Sequence, residues 1–519
     1  MRAKQATTTI RAAGLFTLLI GSPALLSLQA CTDLGETPVS AITPENFYRN
    51  EQEVLGGLAS VYASLRPTVS NYYNLSEVTT DEFIVPTRGS DWFDNGKWLE
   101  MHRQTWEANS AAAGQEINFA WVDGFTGVAR ANVLLEAMQT VTVSNSAVID
   151  AEIRTLRAFY YYMLMDMFGG VQIVTTTDIV PRERNTRAEV FEFIEQELLE
   201  VRDALPDQWP DASNGRLTRG AANAILASLY LNAEVFTGTV DASGLQRGTP
   251  RFQDAADVAD EILNSGVYSL ASDWKANFRH DNHLSPENIL VVKYVAEEGV
   301  GFEMIMRGLH YNQATPAPWN GFATIAETYY AFDRDDVRDD IFLVGQQFNV
   351  ETGAPVDDRT GQPLFFTPEI DDITSAAENE GVRIYKFPAD PNHSGQWHGN
   401  DYPYFRLAEI ILIKAEAINE LGRTDEAINL VNTMIRARVF NPPEPLPLGM
   451  SQAEFRDAIL NERLFELTAE AKRRQDLIRH DKYLLPWSHK ELREPHRVLM
   501  PIPQGQLNAN PLLVQNAGY

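Results

Sequence analysis

The 519-residue chain has one cysteine, Cys31. A single thiol excludes an internal disulfide framework and every Cys-rich metal site. The nine histidines are scattered without zinc-ligand spacing. No Walker loop or dinucleotide glycine fingerprint occurs, which removes the nucleotide chemistries that leave such a signature. Positive charge is scarce: 43 Lys and Arg stand against 71 Asp and Glu, for a formal charge of −28. Such a surface repels a phosphate backbone, so no nucleic-acid partner is expected, whereas an uncharged ligand meets no penalty. Past the N-terminus no segment has the ~18 uninterrupted apolar residues of a membrane helix. Acid is concentrated at Asp333-Arg334-Asp335-Asp336 and Asp371-Asp372. Neither stretch has EF-hand spacing, so both read as solvated turns, and no metal or cofactor is expected.

What the chain does have begins at its start. Arg2, Lys4 and Arg11 form a basic region, Leu15 to Leu28 an apolar one, and small Ala30 precedes Cys31. This is the pattern of a secretory signal over residues 1–30, too short to span a bilayer and followed by polar chain. Leu28-Gln29-Ala30-Cys31 resembles a lipobox, which implies lipidation of Cys31 and a protein anchored to a membrane without crossing it. Residues 31–43 read as a short polar tether containing Pro38, and 44–519 as one domain.

Within that domain helical periodicity dominates. Residues 46–66, 115–140, 148–168, 186–204, 218–236, 252–265, 402–421, 424–438 and 451–480 read as helices. Gly169-Gly170 stops the third of them. Two pairs have alanine-rich faces: 218–236 with 252–265, and 402–421 with 424–438, the latter joined at Gly422 with Thr424 placed to cap. Such pairs are the mark of tetratricopeptide-type hairpins, here with a Gly-rich insertion at 237–250. The fold class is therefore mainly α: a helical scaffold over about 44–266 and 401–519. Residues 70–112 and 268–400 are instead rich in turns, with short β-like runs such as 288–294. Their aromatic content argues against disorder, and loops this long are usually functional.

Several stretches together resemble the SusD/RagB family of outer-membrane nutrient-binding lipoproteins. They are Arg157 to Tyr161, Phe168-Gly169-Gly170-Val171, Tyr404 to Glu409 continuing to Ala417, Asn461-Glu462-Arg463 with Glu466, Arg473 to Arg479, Pro501-Ile502-Pro503, and Gln515 to Tyr519. Ala517 stands where the family usually has proline, and Ala471-Lys472 where it often has Gly-His, which suggests a divergent member. The resemblance implies a SusD-like fold with a loop-rich ligand-binding half. It also implies an outer-membrane, cell-surface protein that captures oligosaccharides without cleaving them. Delivery would be to a SusC-like TonB-dependent transporter. The motif residues read as scaffold, with Glu470 and Arg474 spaced for a helical ion pair and Arg406 and Glu409 for a partly buried network.

A sugar site needs exposed rings to stack on C–H faces, with amide, carboxylate or guanidinium groups for hydroxyls. The segment Arg88 to Trp98 offers Arg88, Asp91, Trp92 and Trp98; the segment His310 to Phe322 offers Tyr311, Asn312, Trp319 and Asn320. The family draws ligand aromatics from loops near both chain positions, and that expectation is carried to Trp92, Trp98, Tyr311 and Trp319. A third cluster, His393 to Tyr402 with Trp397 and His398, and Asp81-Glu82 are lesser candidates. Two rivals stand beside glycan capture. One is peptide capture for the same kind of import. The other is a helical-barrel glycoside hydrolase, which needs two carboxylates across a sugar cleft; separately, a catalytic carboxylate at Glu409 or Glu416 is the alternative to their scaffold role.

Overall fold

A computed structural model describes residues 48–519. The signal peptide, Cys31 and the tether lie outside the described residues. Among the described residues no helix is long and apolar enough to cross a membrane.

The first helices are α1 (Glu51–Ala63), α2 (Asn71–Glu77), α3 (Lys97–His102), α4 (Ala113–Ala137) and α5 (Ser146–Phe168). Asn50 caps α1, its side chain accepting from Glu53 N–H at 3.1 Å. α2 and α3 lie in the stretch expected to be non-helical. α5 is buried along most of its length from Ile149 to Phe168, charged Glu152, Arg157 and Asp166 included, with α1 and α4 packed on it. α4 approaches α5 at Gly127, where a Cβ would fall 2.4 Å from the Tyr160 ring, so the site admits only glycine.

α6 (Arg187–Val201) also packs on α5, and α7 (Arg219–Leu231) pairs with α8 (Phe252–Asn264) through buried Ala224, Ala227, Ala255 and Ala259. The insertion between α7 and α8 is a β-hairpin, Thr239–Asp241 with Gly244–Gln246. Further on, β1 (Asn288–Val292), α9 (Met304–Gly308) and β2 (Tyr402–Arg406) precede α10 (Leu407–Glu420). The expected helix 402–421 is thus a strand followed by a helix. Tyr402 to Arg406 is a run of bulky side chains buried on both faces, and it pairs antiparallel with β1, Val292 opposite Tyr402. This pairing closes the long irregular stretch onto its own two ends.

α11 (Thr424–Leu430) turns back on α10 and continues through a π-helical turn at Val431–Arg436. Thr424 does not cap it; its hydroxyl donates to Asn419 Oδ1 at 2.9 Å. The expected helix 451–480 is split into α12 (Gln452–Leu467) and α13 (Arg473–Arg479). Between them Ala469 and Ala471 take left-handed φ values of 65° and 60°, and their N–H groups donate to the carboxylates of Glu82 and Glu77. Glu470 therefore leaves the helix face. It pairs with Lys386 and Arg406, while Arg474 pairs with Asp166 at 3.0 Å, so the expected Glu470–Arg474 pair does not form.

These contacts belong to a buried ionic lattice. Arg406 reaches Glu466 at 2.6 Å, Glu287 at 2.7 Å and Glu470 at 2.8 Å. Arg438 joins Glu287 to Glu466, and Arg338 joins Asp336, Glu462 and Glu466. Asp336 is thus bound to Arg338 rather than solvated. Burial alone raises the Glu466 pKa, but Arg438, Arg406 and Arg338 outweigh it and hold the carboxyl well below its usual range. Glu287, Glu462 and Glu466 tie helical segments to the irregular half. The lattice thereby fixes how the loops described next are presented.

Candidate ligand-binding site

Arg88 and Asp91 close a tight turn, exchanging backbone hydrogen bonds at 2.9 and 3.0 Å. Trp92, Asp94 and Asn95 then adopt left-handed φ values of 61°, 37° and 57°. Three such non-glycine residues in four positions store strain of ~1–3 kcal/mol each, which surrounding contacts must hold. The Trp92 indole supplies much of that hold. Its Nε1–H donates to the Trp319 carbonyl at 2.6 Å, and its ring lies edge-to-face with Trp98 (5.5 Å) and Phe322 (5.7 Å). The ring also covers Gly321, where a Cβ would be 2.2 Å from it. The two segments singled out in the sequence are thus clipped together, although more than 200 residues separate them.

Three of the expected ligand residues prove to be framework. Trp98 opens α3 with only 5% of its surface exposed, and its Nε1–H donates to Asp94 at 2.7 Å. The Arg88 guanidinium is buried and donates to the carbonyls of Asn320 (3.0 Å), Glu380 (2.7 Å) and Ala377. Asn320 is buried too; its Oδ1 accepts from Arg383 at 2.8 Å and its Nδ2 donates to Glu378 O at 3.1 Å. Their polar groups are already matched inside the fold, which leaves little to offer a ligand.

What faces outward is a second cluster. The Tyr311 hydroxyl donates to Asp91 Oδ2 at 2.5 Å, and burial, then that hydrogen bond, push its pKa up to about 12. Arg359, half exposed, lies 4.1 Å over the Tyr311 ring and 3.4 Å from Asp91 Oδ2. It also pairs with Glu378, which accepts from His310 Nε2 at 3.0 Å. His310 Nδ1 in turn accepts from Asn312 N–H at 3.2 Å, so the ring is the neutral Nε2–H tautomer. Burial lowers the His310 pKa, in keeping with that state. Burial alone raises Glu378, but its hydrogen bonds from His310 and Arg359 prevail and lower it. Asn312 is exposed and donates to Asp357 O at 2.7 Å; Trp319 is partly exposed, its N–H fixed on Met306 O of α9 at 2.7 Å. Of the sequence candidates, the structure brings Asp91, Trp92, Tyr311, Asn312 and Trp319 to this surface. Arg359 and Glu378 had not been anticipated. They sit in polar turns that no local pattern distinguishes.

Two family models match this chain: one described as "Starch-binding associating with outer membrane" over residues 44–231, the other as "SusD family" over 341–495. Together they span more than half of the sequence. The chain belongs to the SusD/RagB family. Among curated relatives, SusD-like protein P25 of Formosa agariphila is 24% identical, covering 95% of this chain and 98% of its own length. The starch-binding protein SusD of Bacteroides thetaiotaomicron is 24% identical over 86% of this chain and 85% of its own. The solved structure of a laminarin-binding SusD-like protein superposes with a TM-score of 0.72 at 25% identity, covering 91% of this chain and all of that one. The mainly helical SusD-like architecture expected from the sequence is thereby established.

The motif carboxylates of the helix after β2 are interior. Glu409 pairs with Lys472 at 3.0 Å, and Glu416 is held by Arg479 at 2.5 Å and His480 at 3.1 Å. Both carboxylates are buried and committed to cations, and neither belongs to the Tyr311 surface. Asp81 is clamped by Nε and Nη2 of Arg473, each at 2.7 Å, and Glu82 is buried against the 468–472 loop; neither lines the Tyr311 surface. Trp397 belongs to a different cleft of about 300 Å³, with Arg66, Glu303, Met304 and Arg307. His398 is buried beside it and stacks on His393 at 5.0 Å.

Proposed function

We propose that this protein captures neutral oligosaccharides at the cell surface through the Asp91–Tyr311–Trp319–Arg359 cluster and does not cleave them. The single observation that carries the reading is the partly exposed Tyr311 ring, fixed between Asp91 and Arg359. With the Arg359 guanidinium over one ring face and the Asp91 carboxylate at the hydroxyl edge, the cluster sets both hydroxyl-binding groups beside a partly exposed aromatic ring. The laminarin-binding relative and the starch-binding family description support glycans as the ligand class. The same description supports an outer-membrane location, reached through a signal at 1–30 and a lipid on Cys31, with 31–43 as tether and 44–519 as the binding domain. Delivery to a SusC-like TonB-dependent transporter completes the proposal.

The test is a glycan-array screen of residues 32–519 beside a Tyr311→Ala/Trp319→Ala variant. The expected outcome is binding to one class of neutral glycan that the variant loses. Silence of the parent chain across the array, with capture of peptides instead, would replace this reading by peptide import.

A further inference from the structure

Away from the Tyr311 cluster, a cleft of about 300 Å³ opens between residues 207–218 and 267–291. That is the lower end of the ~300–1,000 Å³ range of small-ligand pockets. A second hollow of about 340 Å³ adjoins it and shares Asp207, Val267 and Tyr268. Two aromatic rings, Trp209 and Tyr268, line the cleft, with the side chains of Asn214, His283 and Asn288.

Trp209 is not a loose surface ring. Its Nε1–H donates to Leu217 O at 2.8 Å, and the Arg216 guanidinium lies 3.9 Å from its ring centre. Arg216 is anchored to the fully buried Glu152, Nε to Oε1 at 3.0 Å. The same carboxylate accepts from Tyr62 at 2.6 Å, and Tyr62 accepts from Leu217 N–H at 2.8 Å. Two routes from one buried carboxylate thus fix the ring at the cleft. Tyr268 is likewise tied, its hydroxyl 2.8 Å from that of Thr218.

The polar wall carries an unmet acceptor. Asn288 Nδ2 donates to Asn282 O at 3.1 Å, but its buried Oδ1 accepts no hydrogen bond from the described residues. Buried side-chain oxygens are nearly always matched, so this one asks for a donor. The charges point to an uncharged one. Arg216 is neutralised by Glu152; Lys293, whose Nζ reaches Asn214 Oδ1 at 3.3 Å, is neutralised by Asp401; and Asp207 and Asp211 on the wall repel anions. An aromatic ring fixed by Arg216 on one face, one unmatched amide oxygen and no spare cation in the cleft suit a neutral, hydroxyl-rich ring.

We propose that this cleft is a second saccharide-binding site, in which a short neutral glycan stacks on Trp209 and donates a hydroxyl to Asn288. It uses no residue of the Tyr311 cluster and goes beyond the reading given above.

The test uses the full chain and saturation-transfer NMR with three probes: laminarihexaose, maltohexaose and cellohexaose. The Tyr311→Ala/Trp319→Ala variant is expected to keep transfer to at least one probe. Adding Trp209→Ala should weaken that remaining affinity at least tenfold, and Trp209→Phe should retain most of it. Residual binding that Trp209→Ala leaves unchanged, or no residual binding to any probe, would overturn the proposal. Should Trp209→Ala fail to fold by circular dichroism, Asn288→Ala in its place must produce the loss. If instead Tyr311→Ala/Trp319→Ala changes nothing while Trp209→Ala abolishes binding, the first site falls and this one stands.

Discussion

Arg406 and Arg359 have the same kinds of neighbour in opposite surroundings. Each guanidinium lies over an aromatic ring, Phe278 at 5.4 Å and Tyr311 at 4.1 Å, and each touches more than one carboxylate. Arg406 has no exposed side-chain surface; Arg359 has 49%. Burial decides what the cluster is for. Around Arg406 every charge is committed, and exchanging partners would strand a carboxylate in a low-dielectric interior. Around Arg359 water already competes, so a hydroxyl-bearing ligand can take over a hydrogen bond at small cost. Counting Arg–carboxylate contacts would not separate the two regions.

The comparison breaks most easily at its buried end. Arg406→Leu leaves Glu287, Glu466 and Glu470 short of their cation and should cost ~3–5 kcal/mol, read from urea unfolding. A loss below about 1 kcal/mol would mean that the lattice is not a scaffold.

Glu77 and Glu82 sharpen it, as buried carboxyls close enough for the charge of one to act on the other. Burial is the main cause that pushes Glu82 from 4.5 to about 7. In the unfolded chain it titrates near ~4.3. Between these values the folded state keeps a proton that the unfolded state has released. The group's contribution to stability is therefore full below about 4.3 and is lost as pH rises through about 7. Glu82→Gln cannot ionise, so its stability relative to the parent should rise across that window, by at most about 1.4 kcal/mol per pH unit. Parallel stability curves from pH 4 to 8 would contradict the assignment.

The smallest effect belongs to the exposed end. Arg423 and Glu426 pair at 2.5 Å with both side chains nearly half exposed. Arg423→Ala should change stability by less than ~0.5 kcal/mol in the same unfolding assay.

Much of this was legible in the sequence, and the failures have physical causes. The periodicity of 115–140, 148–168 and 252–265 located α4, α5 and α8, because packing on one apolar face writes that period directly. The break at 468–472 was not legible: the acceptors that stabilise Ala469 and Ala471 come from Glu82 and Glu77, some 390 residues upstream. Tyr402 to Arg406 was misread because a short apolar run before a helix carries no period of its own. In the site, mixed aromatic and polar composition found both loops. It could not tell that Trp98 turns inward at the start of α3, nor that Arg88 and Asn320 would meet buried carbonyls. Arg359 escaped notice because its partner Asp91 is 268 residues away.

The most direct test of the account is a calorimetric titration of Arg359→Ala with the glycan class that the array identifies, paired with its urea unfolding curve. The account predicts at least a tenfold loss of affinity, about 1.4 kcal/mol, with folding stability within ~1 kcal/mol of the parent. Unchanged affinity, or a collapse in stability like that expected of Arg406→Leu, would contradict it.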